Sequence, residues 1–414
     1  MDAIPNELRL QICSYLDSEP PSTTRFFEEP SQHFACAPQR TLKSLSLVSR
    51  SWRGIVIPSL FRHARISLGS LQGASRRSTT NRYWLRDLEP EVAKFLDFSK
   101  RNEMNRHVKT FVVCTSIEIV PESANDRKIN QDQAIDFWDT IFSCIEPQVV
   151  KIAAPPTSLA TLTGSPGRCF MDAWAFDMPY HLVELRQDPE HFGVEPPEMC
   201  PRETRHLNTA APLMTKRRWS HVGYNEGSSI KAYSLYEYQY KRSPSILGDL
   251  LQKDMDSYVP QSLTYVAIFP ISENLQPVLE WLISELAWRN QSSPAALELG
   301  NRAFDCQLAP DPDSNIMDDP DRMLRAQHAD LWEELRFSYN MLGIAFAWPR
   351  LRSLTSVTCR DYRCRHLTDM IDDEERLGIL RERGWTKVGL DKWMDLRDRA
   401  DYNPTFDLEN LSLT

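Results

Sequence analysis

Residues 42–56, "LKSLSLVSRSWRGIV", are periodic enough to form a helix and too apolar to form one with a single buried face. Leu42, Leu45, Val48, Trp52 and Ile55 recur at three- and four-residue steps and predict one apolar stripe. Leu47 falls off that stripe and Val56 lies at its edge. The surplus surface either packs on the rest of this chain or is kept for a second one. Periodicity alone leaves both readings open.

Upstream, residues 4–17, "IPNELRLQICSYLD", predict a second helix. Pro5 suits a helix start, where its missing N–H would have had no partner. Ile4, Leu8, Ile12 and Leu16 fall four apart and make a narrow apolar seam, with Glu7, Arg9 and Gln11 expected outside it and Cys13 and Tyr15 widening it. Between the helices runs "DSEPPSTTRFFEEPSQHFACAPQR" (17–40), with four prolines, several Ser and Thr and no period. With Thr41 it is expected as a polar insert loop, 17–41. "IPSLFRHARISL" (57–68) leads out of the second helix. Two or three short helices in about 65 residues bury little surface alone.

The two helical segments resemble the F-box motif. Members of that family open on a Leu-Pro-x-Glu-Leu type start, run into an Ile…Leu helix, and continue into a Leu…Leu…Val-Ser-Arg/Lys-x-Trp helix. Ile4 stands where Leu is usual. Pro5, Glu7, Leu8, Ile12 and Leu16 fall on the first half, and Leu42, Leu45, Leu47, Val48, Ser49, Arg50 and Trp52 on the second. The insert departs from the pattern, since the family joins its halves with only a few residues. "LFRHARI" is similar to the stretch just after the motif in many fungal members. The resemblance covers about one-sixth of the chain. It implies that residues 1–65 dock a Skp-type adaptor and, through it, a cullin–RING ubiquitin ligase. The implied adaptor-binding residues are Ile4, Pro5, Glu7, Leu8, Ile12, Leu16, Leu45, Leu47, Val48 and Trp52.

Residues 66–414 alternate between short strand-like runs and amphipathic helices. The runs are "HVKTFVVC" (107–114), "PQVVKIAA" (147–154), "PYHLVELRQ" (179–187), "SSIKAYSLYEY" (228–238), "PQSLTYVAIFP" (260–270), "PAALELGN" (294–301), "PRLRSLTSVTC" (349–359) and "FDLENLSLT" (406–414). Helices are expected at 88–102, at 130–146 with Ala134, Phe137, Trp138, Ile141, Phe142 and Ile145 on one face, at 274–290 and at 319–348. Residues 187–227 and 305–321 read as long loops, and 369–385 as a charged helix with a solvated face. The expected fold class is α/β: a small helical F-box followed by an irregular leucine-rich-repeat-like βα solenoid (horseshoe). The run resembles the degenerate leucine-rich repeats behind many fungal F-boxes, with an irregular period. An irregular α/β domain that merely alternates is the other reading.

No phosphate-binding glycine loop, G-x-S-x-G or H-E-x-x-H is present, and glycines number 14. Cys359, Cys364 and His366 lack the second ligand pair of a zinc site, and read as a strand end and a basic turn. The carboxylates at 372–375 read as solvated surface. His181, His191, His206 and His221 have no recognisable nucleophile partner, and most of the 11 tryptophans read as core. No catalytic residue, metal or cofactor is expected. A net charge of −9 argues against a general nucleic-acid binder. Residues 1–16 show no secretory signal, no run is apolar enough to span a membrane, and nine scattered cysteines suit a reducing compartment, so cytoplasm or nucleus is expected.

The function expected is that of a non-catalytic substrate-recognition subunit of a Skp–cullin–F-box ligase, joining an unknown protein client to the adaptor. The alternative is a non-ligase F-box scaffold. An enzyme with an unrecognised site in the region after residue 70 is a third reading.

Overall fold

In a computed structural model of the chain, the described residues are 4–31, 33–36, 41–68, 89–118, 124–164, 180–189, 213, 216–217, 219–227, 246–250, 262–267, 295–301, 354–359, 385–388 and 392–395. They fall into two compact units, one of Met1–Gly167 with Pro179–Trp219, the other of Arg168–Met178 with Ser220–Thr414.

The first unit opens with helices α1 (Asn6–Leu16), α2 (Pro21–Thr24), α3 (Thr41–Ser46) and α4 (Arg50–Leu60). The stretch 42–56 is thus two helices with a corner between them. Ser49 makes the break: its backbone is extended, and its side-chain oxygen accepts from the Trp52 N–H at 3.2 Å, capping α4. A serine that caps one helix cannot also continue the helix before it. Leu47 and Val48 therefore sit in the turn, off any helical stripe.

Four strands follow: β1 (His63–Leu68), β2 (Thr110–Thr115), β3 (Val149–Ala154) and β4 (His181–Arg186). The first three pair in parallel, and β4 runs antiparallel to β3. Helices α5 (Glu89–Arg101) and α6 (Ala124–Cys144) fill the crossovers, and α7 (Pro156–Thr163) follows β3. The helices expected at 88–102 and 130–146 lie within these bounds or overlap them. Sequence reading leaves β1 in the tail of the helical motif, although Ala64, Ile66 and Leu68 alternate as a strand should.

Register divides the sheet into two unlike faces. Ala64, Phe111, Val150 and Leu185 share one face, where each adjacent pair is in register. This face is apolar and covered by helices. Phe111 meets Phe95 of α5 and Trp138 of α6 at ring distances of 6.3 and 6.5 Å. Trp138 is fully buried, and its indole N–H donates to the Leu162 carbonyl at 2.7 Å. Burial of Ala134, Phe137, Trp138, Ile141 and Ile145, with Phe142 half-buried, follows the expected face.

The opposite face carries three charged residues and one valine in register: Arg65, Val112, Lys151 and Glu184. Against this face lies the insert, expected as a polar loop. It forms α2, and Phe26 and Phe34 are buried. The Lys151 Nζ donates to the Ser22 carbonyl at 2.8 Å and lies 5.8 Å from the centre of the Phe26 ring. The insert has no period because its anchor is a backbone carbonyl, which leaves no trace in sequence.

The second unit has β5 (His221–Asn225), β6 (Ser262–Ala267), β7 (Ala295–Asn301) and β8 (Leu354–Cys359) in parallel. β9 (Trp385–Lys387) and β10 (Lys392–Asp395) add an antiparallel edge through β10. β5 lies inside the stretch 187–227 expected as loop. Its buried Val222 and Tyr224 alternate, but a central glycine weakens the strand signal. The runs at 228–238 and 406–414, the helices at 274–290 and 319–348, and most of 369–385 lie outside the described residues. The chain is thus a helical start followed by mixed α/β structure with parallel and antiparallel pairing. Among the described residues, no helix is long and apolar enough to cross a membrane.

Candidate docking site

Helices α1, α3 and α4 hold a core of their own. Cys13, Trp52 and Val56 are buried, with Ile4, Leu42, Leu45, Ile55 and Leu60 packed around them. Burial first, then the nearby Asp17 carboxylate, raise the Cys13 thiol above its ordinary value, so it stays protonated and serves as packing. An ion pair of 2.8 Å between Arg62 and Asp17 joins the segment after α4 to the end of α1.

The face α1 turns inward is not its apolar seam. Arg9 and Cys13 are its buried residues, although the spacing predicts Arg9 outside. The Arg9 guanidinium lies 5.7 Å from the Trp52 ring centre and donates to the Ser51 hydroxyl. A planar, weakly hydrated cation stacks on an indole at modest desolvation cost. With Arg9 inward, the seam rotates outward. Leu8 is 51% exposed, Ile12 37% and Tyr15 81%. The corner between α3 and α4 adds Leu47 at 68% and Val48 at 51%.

The ten residues singled out from sequence therefore separate into three groups. Leu8, Ile12, Leu47 and Val48 are exposed apolar side chains, with Pro5 and Glu7 exposed beside them on the first turn. Ile4, Leu16 and Leu45 are half-buried. Trp52, expected among the anchors, is only 2% exposed. Its part in any docking is to hold the helices together, because Cys13, Val56 and their aliphatic neighbours already surround it. Val56, the other surplus apolar residue, is also buried. The second apolar surface of residues 42–56 is thus split: Val56 packs at home, and Leu47 and Val48 do not.

Sequence reasoning missed Leu10, which is 57% exposed on the side of α1 away from Leu8. No spacing signal marks it. Isolated exposed leucines need no explanation, whereas several on adjoining short helices make a candidate interaction surface.

What this arrangement can do is bind: large apolar side chains, presented at a helix face and a tight corner, lose water when a partner covers them.

Comparison with known proteins bears on the same residues. No curated protein and no solved structure matches the chain. The F-box-like family model matches residues 1–67, which run from the first helix into β1. The chain carries an F-box-like domain at residues 1–67, the mark of an F-box protein.

Proposed function

We propose that the chain is the substrate-recognition subunit of a Skp–cullin–F-box ubiquitin ligase. F-box domains typically bind Skp-type adaptors and suggest involvement in such complexes. The observation that carries the reading is the outward exposure of Leu8, Ile12 and Tyr15 on α1 and of Leu47 and Val48 at the corner, on a domain whose own core is already closed. Covering a few such side chains supplies roughly 25 cal/mol per Å² of apolar area.

The chain performs no chemistry itself in this reading. It raises the effective concentration of a client beside the transfer machinery. Client binding falls to residues 66–414. There the in-order parallel pairing of β1–β3 and of β5–β8 suits a degenerate leucine-rich-repeat-like array, since stacked repeats bury in neighbours what one repeat cannot bury alone. The antiparallel β3–β4 pair interrupts that pattern. Cytoplasm or nucleus is the compartment this role requires.

Co-expression with a Skp-type adaptor tests the assignment. Leu47→Asp and Leu8→Asp each abolish co-purification, while Leu10→Asp retains it. Equal recovery of all three overturns the docking assignment. Presence of a cullin in the purified complex separates a ligase subunit from a non-ligase scaffold.

A further inference from the structure

An open cleft of about 370 Å³ lies within the first unit, between the insert and the edge of the sheet. Its walls come from the end of α1, the insert, the start of α3 and the end of α4. His63 and Arg65 of β1 and Val112 of β2 complete it. Protein interiors leave few voids larger than a water molecule. A volume of this order is instead the size of a small-ligand pocket, about 300–1,000 Å³.

The lining has two chemistries. Leu16, Leu42, Leu60 and Val112 supply apolar surface. The charged residues are Asp17, Lys43 and Arg65. Asp17 is engaged by Arg62 at 2.8 Å, so the charge not neutralised across an ion pair is positive. Arg65 is steadied by donating to the Cys36 sulfur, and Cys36 also lines the cleft. The Nδ1 of His63 is buried and has no hydrogen-bond partner among the described residues. Burial, then the Arg62 charge, hold the His63 imidazole below its ordinary value, so at neutral pH it offers a polar atom without adding charge. The insert wall is fixed from behind, because the Ser22 carbonyl accepts from Lys151. One wall of the cleft is thus tethered to the sheet.

We propose that this cleft binds a small amphiphilic carboxylate, with its apolar body on Leu16, Leu42, Leu60 and Val112 and its acid head drawn by Lys43 and Arg65. An apolar body with a single anionic head matches a lining of aliphatic residues and two cations. A cationic amphiphile of the same length meets the same grease and the wrong charge. The proposal stands apart from the adaptor reading, since none of Leu8, Ile12, Leu47 and Val48 lines the cleft.

Titration of octanoate into the full chain, followed by ligand-observed NMR and calorimetry, tests it. Saturable binding at one site is expected, with no comparable binding of octylamine. Lys43→Gln with Arg65→Gln weakens octanoate about tenfold. Ala35→Trp, which fills the cleft from the insert wall, abolishes binding, and Leu47→Asp leaves it unchanged. A thermal melt confirms that each variant folds. Lys43→Gln alone, at an exposed position, gives a smaller weakening of the same sign if the double variant does not fold. Absence of saturable octanoate binding to the wild type overturns the proposal. So does equal binding of octylamine, survival of binding in Ala35→Trp, or its loss in Leu47→Asp, which would place the probe on the docking helices.

Discussion

The two faces of the four-stranded sheet in the first unit are held by different physics. On one, Phe111, Trp138, Val150 and Ile152 interlock with helices and carry no charge in their midst. On the other, a buried Lys151–Glu184 pair at 2.6 Å ties the sheet to a segment with no regular period. Apolar packing is non-directional and accepts many near-equivalent arrangements. An ammonium aimed at one carbonyl and one carboxylate accepts few. The first face makes the unit stable, and the second fixes where the insert, and with it the join between α1 and α3, is placed.

The largest expected effect lies on the apolar face. Trp138→Ala removes a fully buried indole and its hydrogen bond to Leu162, and destabilises the first unit by about 4 kcal/mol in urea denaturation. A loss below about 1 kcal/mol would mean that this face is not the main core.

Next comes the polar face. Lys151→Ala strands the Glu184 carboxylate and costs about 3 kcal/mol, with Arg186 beside Glu184 moderating the loss. Lys151→Met with Glu184→Leu recovers most of the stability. It does not recover slow hydrogen exchange at residues 23–26, because the Ser22 carbonyl loses its Lys151 donor. If the double variant protects the insert as well as wild type, the pair does not place it.

The apolar face holds one titratable exception. His181 is fully buried and in register with Ala154; burial pushes its pKa down to about 3. The unfolded chain takes up a proton near pH 6.5 that the folded chain refuses until about pH 3, so stability falls as pH drops through that window. The slope is at most about 1.4 kcal/mol per pH unit. His181→Gln flattens this acid limb, measured as melting temperature between pH 7 and pH 5. An unchanged limb would assign acid sensitivity to other groups.

The smallest effect is at the docking helices. Ser49→Ala removes the cap of α4 and costs about 1 kcal/mol by thermal melting. If the corner at Leu47 and Val48 depends on that cap, adaptor recovery falls with it; unchanged recovery would show that the partner itself sets the corner.

Much of this is legible from sequence where a period exists. The helices at residues 4–17 and 130–146, and the strands at 107–114, 147–154, 260–270 and 294–301, announce themselves by spacing. What stays hidden has local causes. A single capping hydroxyl at Ser49 breaks one apparent helix into two. Arg9 takes the inner face of α1 because an indole is there to receive it, and no pattern on α1 itself reports Trp52. β5 is concealed by a central glycine, and β1 by its histidine and arginine. The insert is unreadable because its partner, Lys151, lies 129 residues away from Ser22 in the chain. Of the ten residues expected to dock, the outward ones can be named but not separated from the inward ones, since helical spacing gives a stripe and not its direction.

That separation along the chain has an outcome in time. The insert has no ammonium to seat against until β3 has been made and joined to its neighbours, and closing so long a loop is slow compared with forming either helix. The short helices can appear early, but the segment that connects them settles last. A chain emerging from synthesis would therefore fix the path of the insert only once β3 has joined the sheet, after the corner at Leu47 and Val48 has already formed around its local cap.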